Sequence, residues 1–343
     1  MVDKIVDLRS DTVTKPTDEM RREMKKAEVG DDVFKEDPTV SKLENKAAEI
    51  FDKEAGLFVS SGTQGNLISL LTHAQSGEEV ILGRDSHIFN YEVGGFARLG
   101  GLSARPIKEE KGRLPLEKLI ENIKGSDIHF PEQSLVCLEN THNGHGGVPV
   151  SGDYIEKIGQ ICMQKDLKLH IDGARIFNAS VYLEEDVSNL CEPADSIQFC
   201  LSKGLSAPIG SIIVGSRDFI SRARKNRKIV GGGMRQVGVI AATGLISLDK
   251  MIDRLKKDHE KANRLAEGLK DLGFEINPNK FKTNIVYLSL DQMNYSTNEF
   301  LGLLKEKGIK ALSHEDKIRF VTHREVSKED INYCLEAIDN LIH

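Results

Sequence analysis

Short apolar runs alternate with helix-like stretches along much of this chain, and the alternation predicts its central fold. The predicted strands are residues 56–60, 79–82, 134–138, 167–171, 197–201 and 211–214. The predicted helices between several of them are residues 64–74, 116–124 and 154–165. This order is typical of a mostly parallel α/β sheet. Residues 211–214 follow the preceding strand too closely for a helical crossover, so we expect the two strands to be antiparallel.

The pattern changes on both sides of this region. Residues 1–15 are polar and lack periodicity, which indicates an arm that gains structure by packing elsewhere, and Thr17 is predicted to cap a helix over 17–27. Residues 237–264 are predicted as one long helix or two joined helices. The later elements are strands at 284–290 and 317–320 and helices at 296–306 and 328–341. The predicted organisation is an arm (1–15), a large α/β domain (16–250) and a small α+β domain (251–343).

Composition and charge restrict the class of protein. Hydrophobic residues make up 39% and charged residues 29%, so a sizeable core can form. The net charge of -6 argues against a general nucleic-acid or anionic-membrane binder. The longest near-apolar run, 237–247, is well short of the roughly 20 residues of a membrane span, and the opening residues lack the apolar core of a signal peptide. The 5 cysteines form no CxxC pair, which indicates reduced thiols in a cytoplasmic protein and leaves a catalytic cysteine open.

A lysine follows directly after the apolar run IQFCL, in Ser202-Lys203-Gly204. A cation at such a place is costly to desolvate. A lysine that forms a Schiff base is neutral or shares its charge with a cofactor, so the position suits covalent catalysis. A surface lysine that opens a loop is the alternative, because lysines are usually exposed.

An acidic residue ends an earlier apolar run, in the segment HIDGAR. Asp172 lies at the carboxyl end of a predicted parallel strand, where open α/β sheets bind ligands. Its carboxylate could pair with the pyridinium nitrogen of pyridoxal phosphate, or it could cap the following helix. Arg175, one turn later, could bind a substrate carboxylate or pair with a surface acid.

A loop of small residues, SSGTQGN, joins a predicted strand to a predicted helix. The backbone N–H groups of Ser61, Gly62 and Thr63 and the helix dipole could bind a phosphate there, although an ordinary capped turn would have the same residues. The loop is neither a Walker A motif nor GxGxxG, so a nucleotide is not implied. A phosphate cradle, a strand-end aspartate and a later lysine are the parts of a site for pyridoxal 5'-phosphate.

Several longer motifs make the assignment more specific. They are LRSDTVTKPT, GDDVFKEDP, SSGTQGN, DSHIFNYE, ENTHNGHGG, HIDGARIFNAS, FCLSKGL, GGGMRQ and IRFVTH. Through these motifs nearly the whole chain resembles the low-specificity L-threonine aldolases of the β-eliminating lyase family. The resemblance implies an α/β fold-type-I, aspartate-aminotransferase-like enzyme that binds pyridoxal 5'-phosphate. It also implies a homotetramer, built as a dimer of dimers, with active sites near the subunit interfaces.

The resemblance also implies roles for individual residues. The cofactor would be held by Lys203 as its Schiff base, by Asp172 at the pyridine nitrogen, and by Ser61, Gly62, Thr63, His87, Arg175, Lys228 and Arg235. The substrate would be held by Ser10, Arg175 and Arg319 at its carboxylate and by His129 near its β-hydroxyl. No residue is assigned to a metal. The chain departs from the family's common GDDVYGED segment at Phe34 and Lys35, which puts details of substrate preference or loop packing in doubt.

The implied reaction is the cleavage of L-threonine or L-allo-threonine to glycine and acetaldehyde. The base that takes the β-hydroxyl proton could be His87, His129 or a water that they hold. The main alternative is a β-eliminating lyase of the same superfamily that acts on another amino acid. A nucleotide-binding module lacks its GxGxxG unit, and an RNA-binding patch at residues 222–228 conflicts with the net charge.

Overall fold

The computed structural model describes residues 4–125 and 127–342. Its helices are α1 (Asp18–Lys26), α2 (Pro38–Ile50), α3 (Gly62–His73), α4 (His87–Asn90), α5 (Gly95–Gly100), α6 (Leu116–Asn122), α7 (Gly152–Gln164), α8 (Ile176–Leu183), α9 (Val187–Leu190), α10 (Arg217–Ile229), α11 (Gly238–Ile246), α12 (Leu255–Asp271), α13 (Thr297–Glu306) and α14 (Lys328–Ile342). Its strands are β1 (Val6–Asp7), β2 (Ala55–Val59), β3 (Glu79–Gly83), β4 (Ser103–Ile107), β5 (Gln133–Glu139), β6 (Lys168–Asp172), β7 (Ser196–Cys200), β8 (Ser211–Gly215), β9 (Ile285–Ser289), β10 (Ile309–Lys310), β11 (Leu312–His314) and β12 (Lys317–Val321).

The centre of the molecule is a seven-stranded sheet in the order β2-β8-β7-β6-β5-β3-β4. Strand β8 runs antiparallel to both of its neighbours, and the pairs from β7 to β4 are parallel. The six strands predicted from the sequence are therefore confirmed, including the antiparallel one at 211–214. The parallel strands end at one edge of the sheet, where open α/β folds bind their ligands.

Strand β4 was absent from the predictions because Arg105 and Pro106 interrupt its apolar pattern. It lies at the edge of the sheet and pairs with β3 alone. Pro106 is tolerated there because an edge strand does not need every backbone donor. The Arg105 side chain donates two hydrogen bonds, of 2.5 and 3.0 Å, to Glu79 of β3, and these hold the edge strand against its neighbour.

Residues 237–264 were predicted as one long helix or two joined helices, and the structure has two. Helices α11 and α12 are separate, and a π-helical turn, Ser247–Met251, follows α11 directly. The predicted domain boundary at residue 250 lies in this turn and stays a prediction. Cap residue Thr17 accepts a hydrogen bond from the Met20 backbone as predicted.

The C-terminal part packs α12, α13 and α14 around the antiparallel sheet β11-β12-β9. The N-terminal arm belongs to this part, because β1 pairs in parallel with β10 and the side chains of Val6 and Leu8 are buried in the same core. The Leu8 carbonyl also accepts a hydrogen bond of 2.8 Å from the Val321 backbone. Within the described residues, no helix is both long and apolar enough to cross a membrane.

Candidate active site

Four predicted site segments, and a fifth segment that carries Asn143, meet at the carboxyl edge of the parallel strands. Gly62 follows β2, His87 follows β3, Asn143 follows β5, Asp172 ends β6 and Lys203 follows β7. Each strand end is tied to a neighbour by hydrogen bonds, as when the His87 backbone N–H donates to Glu139 at the end of β5 over 2.6 Å. The topology therefore brings together residues that are far apart in the chain.

Asp172 is a buried carboxylate that forms no ion pair with a lysine or arginine among the described residues. Its Oδ2 accepts a hydrogen bond of 2.8 Å from the Asn66 side chain, and its Oδ1 accepts one of 3.1 Å from the Ala174 backbone. Only 1% of the residue is exposed. A buried carboxylate is stabilised by an opposite charge, so Asp172 is suited to a cationic group of a ligand.

The loop after β2 forms the start of α3, where Ser61 is the N-cap. Its Oγ accepts a hydrogen bond from the Gln64 backbone, while the N–H groups of Gly62 and Thr63 in the first turn have no helical acceptor. Ser61 and Thr63 are exposed, which leaves this end of the helix open to an anion. A Cβ on Gly62 would lie 2.9 Å from the Cys200 Sγ, so a larger residue would distort the loop.

His87 is oriented by an acidic residue that the sequence analysis did not identify. Its Nδ1 lies 3.0 Å from the Glu92 Oε1, and the same oxygen accepts a hydrogen bond of 2.8 Å from Asn66. Burial lowers the pKa of His87, but the bond to Glu92 and the charges of two further carboxylates, Asp172 and Glu139, outweigh burial and raise it. His87 therefore holds a proton more readily than an ordinary histidine.

Two arginines converge from different parts of the chain. Arg175 begins α8, and Arg319 lies in β12 of the C-terminal sheet. The Oδ1 of Asn143 accepts a hydrogen bond of 3.4 Å from Arg175 and one of 2.9 Å from Arg319. Burial lowers the pKa of Arg319, and the nearby charge of Arg175 lowers it further. Two close guanidinium groups favour binding of an anion such as a carboxylate.

The arm completes this part of the site. Asp11 is fully buried and pairs with Arg175, and the positive charge of Lys203 also acts on its carboxylate. Ser10 lies next to it and caps a short 3-10 turn. Thr14 donates a hydrogen bond of 2.9 Å to the Lys203 backbone carbonyl. The arm therefore contacts both the predicted carboxylate-binding arginine and the loop that carries the predicted Schiff-base lysine.

Three further predicted residues have no hydrogen bond or ion pair to this group among the described residues. His129 is on the segment before β5, at the opposite edge of the sheet, with 77% of its side chain exposed and its Nδ1 2.7 Å from Asp127. Lys228 is near the end of α10, and Arg235 pairs with Asp31 at 2.8 Å on the surface. The glycine segment after α10 does approach the cradle, since a Cβ on Gly232 would lie 2.6 Å from the Gln64 side chain. The roles of these three residues stay predictions.

Two groups of side chains among the described residues could hold a metal ion: His87, Glu92 and Asp172 in the site itself, and a second group beside it. Glu109, His142 and His145 bring three donor atoms within 4.8 Å of one another, beside the loop that carries Asn143. The Nε2 of His142 lies 2.5 Å from the Glu109 Oε1, so these two residues are already hydrogen bonded to each other. Burial lowers the pKa of His142, but the neighbouring carboxylates Glu139 and Glu109 outweigh it and raise the pKa.

Four residues of the site were missed by sequence reasoning as individual contributors. They are Asp11, Asn66, Glu92 and Asn143. All four occur inside the motifs through which the chain resembles the family. Their importance depends on partners elsewhere in the chain, and nothing in the local pattern names those partners.

Comparisons with known proteins identify the family. The model of the family described as beta-eliminating lyase matches residues 7–292. A probable low-specificity L-threonine aldolase 2 from Arabidopsis thaliana is 46% identical over 348 residues, which cover 99% of this chain and 98% of that protein. The low specificity L-threonine aldolase of Escherichia coli strain K12 is 41% identical, over 95% of this chain and 96% of that protein. The chain therefore belongs to the β-eliminating lyase family, and the expected resemblance is confirmed.

Solved structures support the same architecture. The threonine aldolase of Leishmania major has a TM-score of 0.83 at 18% identity, covering 98% of this chain and 99% of that one. At this identity the similarity shows the fold alone. The predicted fold-type-I α/β architecture is confirmed, with its large mixed, mostly parallel sheet.

Proposed function

We propose that this chain cleaves L-threonine and L-allo-threonine to glycine and acetaldehyde at the carboxyl edge of its large sheet. It is a pyridoxal 5'-phosphate-dependent lyase of the threonine aldolase kind. The observation that carries the proposal is the convergence of Arg175 and Arg319 on Asn143, beside the buried Asp172 and the Lys203 loop. Together these groups can hold an amino acid by its carboxylate next to a cofactor.

The residues present fit pyridoxal phosphate. Lys203 would hold it through its side-chain amine, and the buried carboxylate of Asp172 would face its protonated pyridine nitrogen. The open N-terminus of α3, at Gly62 and Thr63, would bind the phosphate. When bound, the cofactor withdraws electrons from the Cα of the amino acid and so weakens its bond to Cβ.

Substrate orientation comes from groups of this chain. Arg175 and Arg319 each can offer N–H donors to the substrate carboxylate, with Ser10 beside them on the arm. A carboxylate fixed at that point limits the rotation of the amino acid about its Cα. The bond to be broken is thereby held in one orientation, which supplies part of the rate enhancement.

A histidine is suited to take the proton of the substrate β-hydroxyl. His87 lies at this edge of the sheet, and its Nδ1 faces Glu92, which leaves Nε2 for another partner. Proton transfer by a positioned histidine typically contributes about 10²–10⁴-fold in rate. His129 could act only in the site of another copy, since in its own chain it lies at the opposite edge.

We further propose that the protein is a cytoplasmic homotetramer, in which Lys228 and Arg235 reach the phosphate partly across a subunit interface. Large apolar side chains that would be covered by other copies include Phe34, Val93, Leu99, Ile128 and Ile229, exposed by 70%, 91%, 61%, 97% and 77%. All five cysteines are unpaired and buried, which is in keeping with a reducing compartment. Light scattering on the purified protein measures the oligomeric state directly, and a monomer would contradict this part of the proposal.

The activity is tested with purified protein and added pyridoxal phosphate. L-threonine, L-allo-threonine and their D-isomers are supplied separately, and acetaldehyde and glycine are measured together with ammonia and 2-oxobutyrate. Acetaldehyde from the L-isomers, in equal amount to glycine, is the expected result. Ammonia and 2-oxobutyrate without acetaldehyde would instead establish the alternative, a β-eliminating lyase.

A further inference from the structure

A chain of hydrogen bonds extends from Asp172 away from the cofactor site and through the interior of the large domain. The Asn66 Nδ2 is 2.8 Å from the Asp172 Oδ2, and the Asn66 Oδ1 is 3.1 Å from the His170 Nε2. The His170 Nδ1 is 2.8 Å from the Ser196 Oγ, which is 2.7 Å from the His73 Nε2. Asn66, His170 and Ser196 are each at most 1% exposed.

These side chains lie between α3 and the large sheet. His170 and Asp172 are two residues apart in β6, so they point to the same face. Ser196 of β7 is the register partner of His170. Asn66 and His73 lie two turns apart on α3 and therefore share one side of that helix. Buried polar groups cost free energy unless they are satisfied, and these satisfy one another.

The direction of each hydrogen bond follows from Asn66. Its Nδ2 faces two carboxylate oxygens, of Asp172 and Glu92, each at 2.8 Å. An amide oxygen cannot donate a hydrogen bond to a carboxylate oxygen, so this atom must be the amide nitrogen and Oδ1 must be the acceptor. His170 therefore carries its proton on Nε2, where it donates to Asn66.

The remaining donors are then determined in turn. Burial lowers the pKa of His170 to about 4, so the ring is neutral and its Nδ1 accepts. The Ser196 hydroxyl donates to that nitrogen, and its oxygen accepts from the Nε2 of His73. Burial likewise lowers the pKa of His73 to about 3. Every donor in the series points towards Asp172.

We propose that Asn66 and His170 are positioning residues that hold the Asp172 carboxylate in the orientation that faces the pyridine nitrogen of the cofactor. The N–H of Asn66 fixes the carboxylate, and the fixed tautomer of His170 fixes the orientation of Asn66. The inference rests on the proposed role of Asp172 as the partner of the pyridine nitrogen. It extends that role to residues that touch neither substrate nor cofactor.

The test measures the protonation of the pyridine nitrogen itself. Holoenzyme is prepared with ¹⁵N-labelled pyridoxal phosphate, and the ring nitrogen is observed by NMR, together with the dissociation constant of the cofactor. In His170→Leu and Asn66→Leu the ¹⁵N shift should move towards that of neutral pyridine, and the dissociation constant should rise about tenfold. His170→Gln, which can still donate to Asn66, should restore the wild-type shift.

A matched control is His259→Leu, because His259 is another histidine whose pKa burial lowers to about 4 and whose Nε2 contacts an asparagine, Asn178. It is not connected to Asp172, so the ¹⁵N shift should stay that of the wild type. If His170→Leu does not fold, Ser196→Ala takes its place and should move the shift in the same direction.

The outcomes separate this inference from the proposed function. A wild-type ¹⁵N shift in folded His170→Leu and Asn66→Leu would overturn the inference, provided that Asp172→Asn does move the shift. A wild-type shift and normal acetaldehyde release in Asp172→Asn would overturn the proposed role of Asp172 and the inference together.

Discussion

Asp11 accepts two hydrogen bonds from Arg175: the arginine Nε donates to Oδ2 over 2.8 Å, and its Nη2 donates to Oδ1 over 2.7 Å. Both side chains are almost completely buried. The pair directs the remaining Nη1 of Arg175 towards Asn143. The N-terminal arm thereby sets the orientation of an arginine that is 164 positions later in the chain.

Substituting Asp11 with Asn should destabilise the protein and weaken substrate binding. The buried guanidinium of Arg175 would lose its counter-charge, and breaking a buried pair in this way costs about 3–5 kcal/mol. Denaturant unfolding measures the loss, and the KM for L-threonine should rise because Arg175 is no longer held. The exposed ion pair of Lys118 and Glu121 provides a control, since Glu121→Gln should change the free energy of unfolding by less than about 1 kcal/mol.

The contribution of Asp11 to the free energy of unfolding should disappear in acid. Burial raises the pKa of Asp11, but the charge of Arg175 and its hydrogen bonds outweigh burial and hold the pKa well below its usual value. The stability that it contributes is therefore present above the unfolded pKa of about 3.9 and is lost as the pH falls towards the folded pKa. The difference in unfolding free energy between the wild type and Asp11→Asn should shrink progressively below about pH 4. A difference that stays constant down to pH 2 would contradict the assignment.

Substituting Lys203 with Ala should abolish the visible absorption band of the bound cofactor. The side-chain amine that would hold pyridoxal phosphate is then missing, and aldehyde release should fall by more than about 10²-fold. Absorption spectra and the acetaldehyde assay check the two effects. Lys168→Ala, at the start of β6 on the opposite edge of the sheet, should leave both unchanged. Wild-type turnover in Lys203→Ala would remove the basis of the proposed site.

Substituting Glu92 with Gln should lower the pKa of His87. The hydrogen bond to Glu92 is the largest influence that raises the pKa of His87. Without it, the lowering of the pKa by burial is opposed only by the remaining carboxylates. The imidazole resonances of histidine-labelled protein should titrate at lower pH than in the wild type. If neutral His87 is the base, the acidic limb of the rate profile should move to lower pH with it. A His87 titration that does not move would show that Glu92 has no such influence.

Substituting Asn143 with Ala should raise the KM for L-threonine about tenfold, which corresponds to about 1.4 kcal/mol. The side-chain oxygen of Asn143 is shared by Arg175 and Arg319, and its loss removes one hydrogen-bond acceptor from each arginine at once. The cofactor does not depend on this contact, so its dissociation constant should stay near the wild-type value. Asn263→Ala is the control, because it makes the same substitution on the surface of α12.

Much of the fold was predictable because it depends on local pattern. Each of the six predicted strands of the large sheet is a short apolar run, and Thr17 marks the start of α1 by its own chemistry. Strand β4 was not predictable in this way, because Arg105 and Pro106 remove the apolar signal and its pairing is supplied by β3.

The site residues were predictable where a chemically distinctive residue stands at the end of a recognisable strand. Asp172 and Lys203 follow apolar runs, and Gly62 lies between a strand and a helix, so each has a local signal. Asn66 has none, because its importance comes from contacts with Asp172 and His170, which are 106 and 104 positions away. The family resemblance gave roles to His129, Lys228 and Arg235; His129 lies at the opposite edge of the sheet in its own chain, and the roles of Lys228 and Arg235 stay predictions.

The pairing of β1 with β10 has a mechanical consequence. The arm is bonded to the C-terminal sheet at Leu8, and its Arg9 carbonyl accepts a hydrogen bond of 3.1 Å from Arg319. Ser10 and Arg319 are therefore coupled through the arm, and the Asp11–Arg175 pair ties the same arm to the large sheet. Any hinge motion between the two parts would have to break this buried ion pair, so the arm holds the carboxylate-binding groups of both parts in a fixed relation, although they come from opposite ends of the chain.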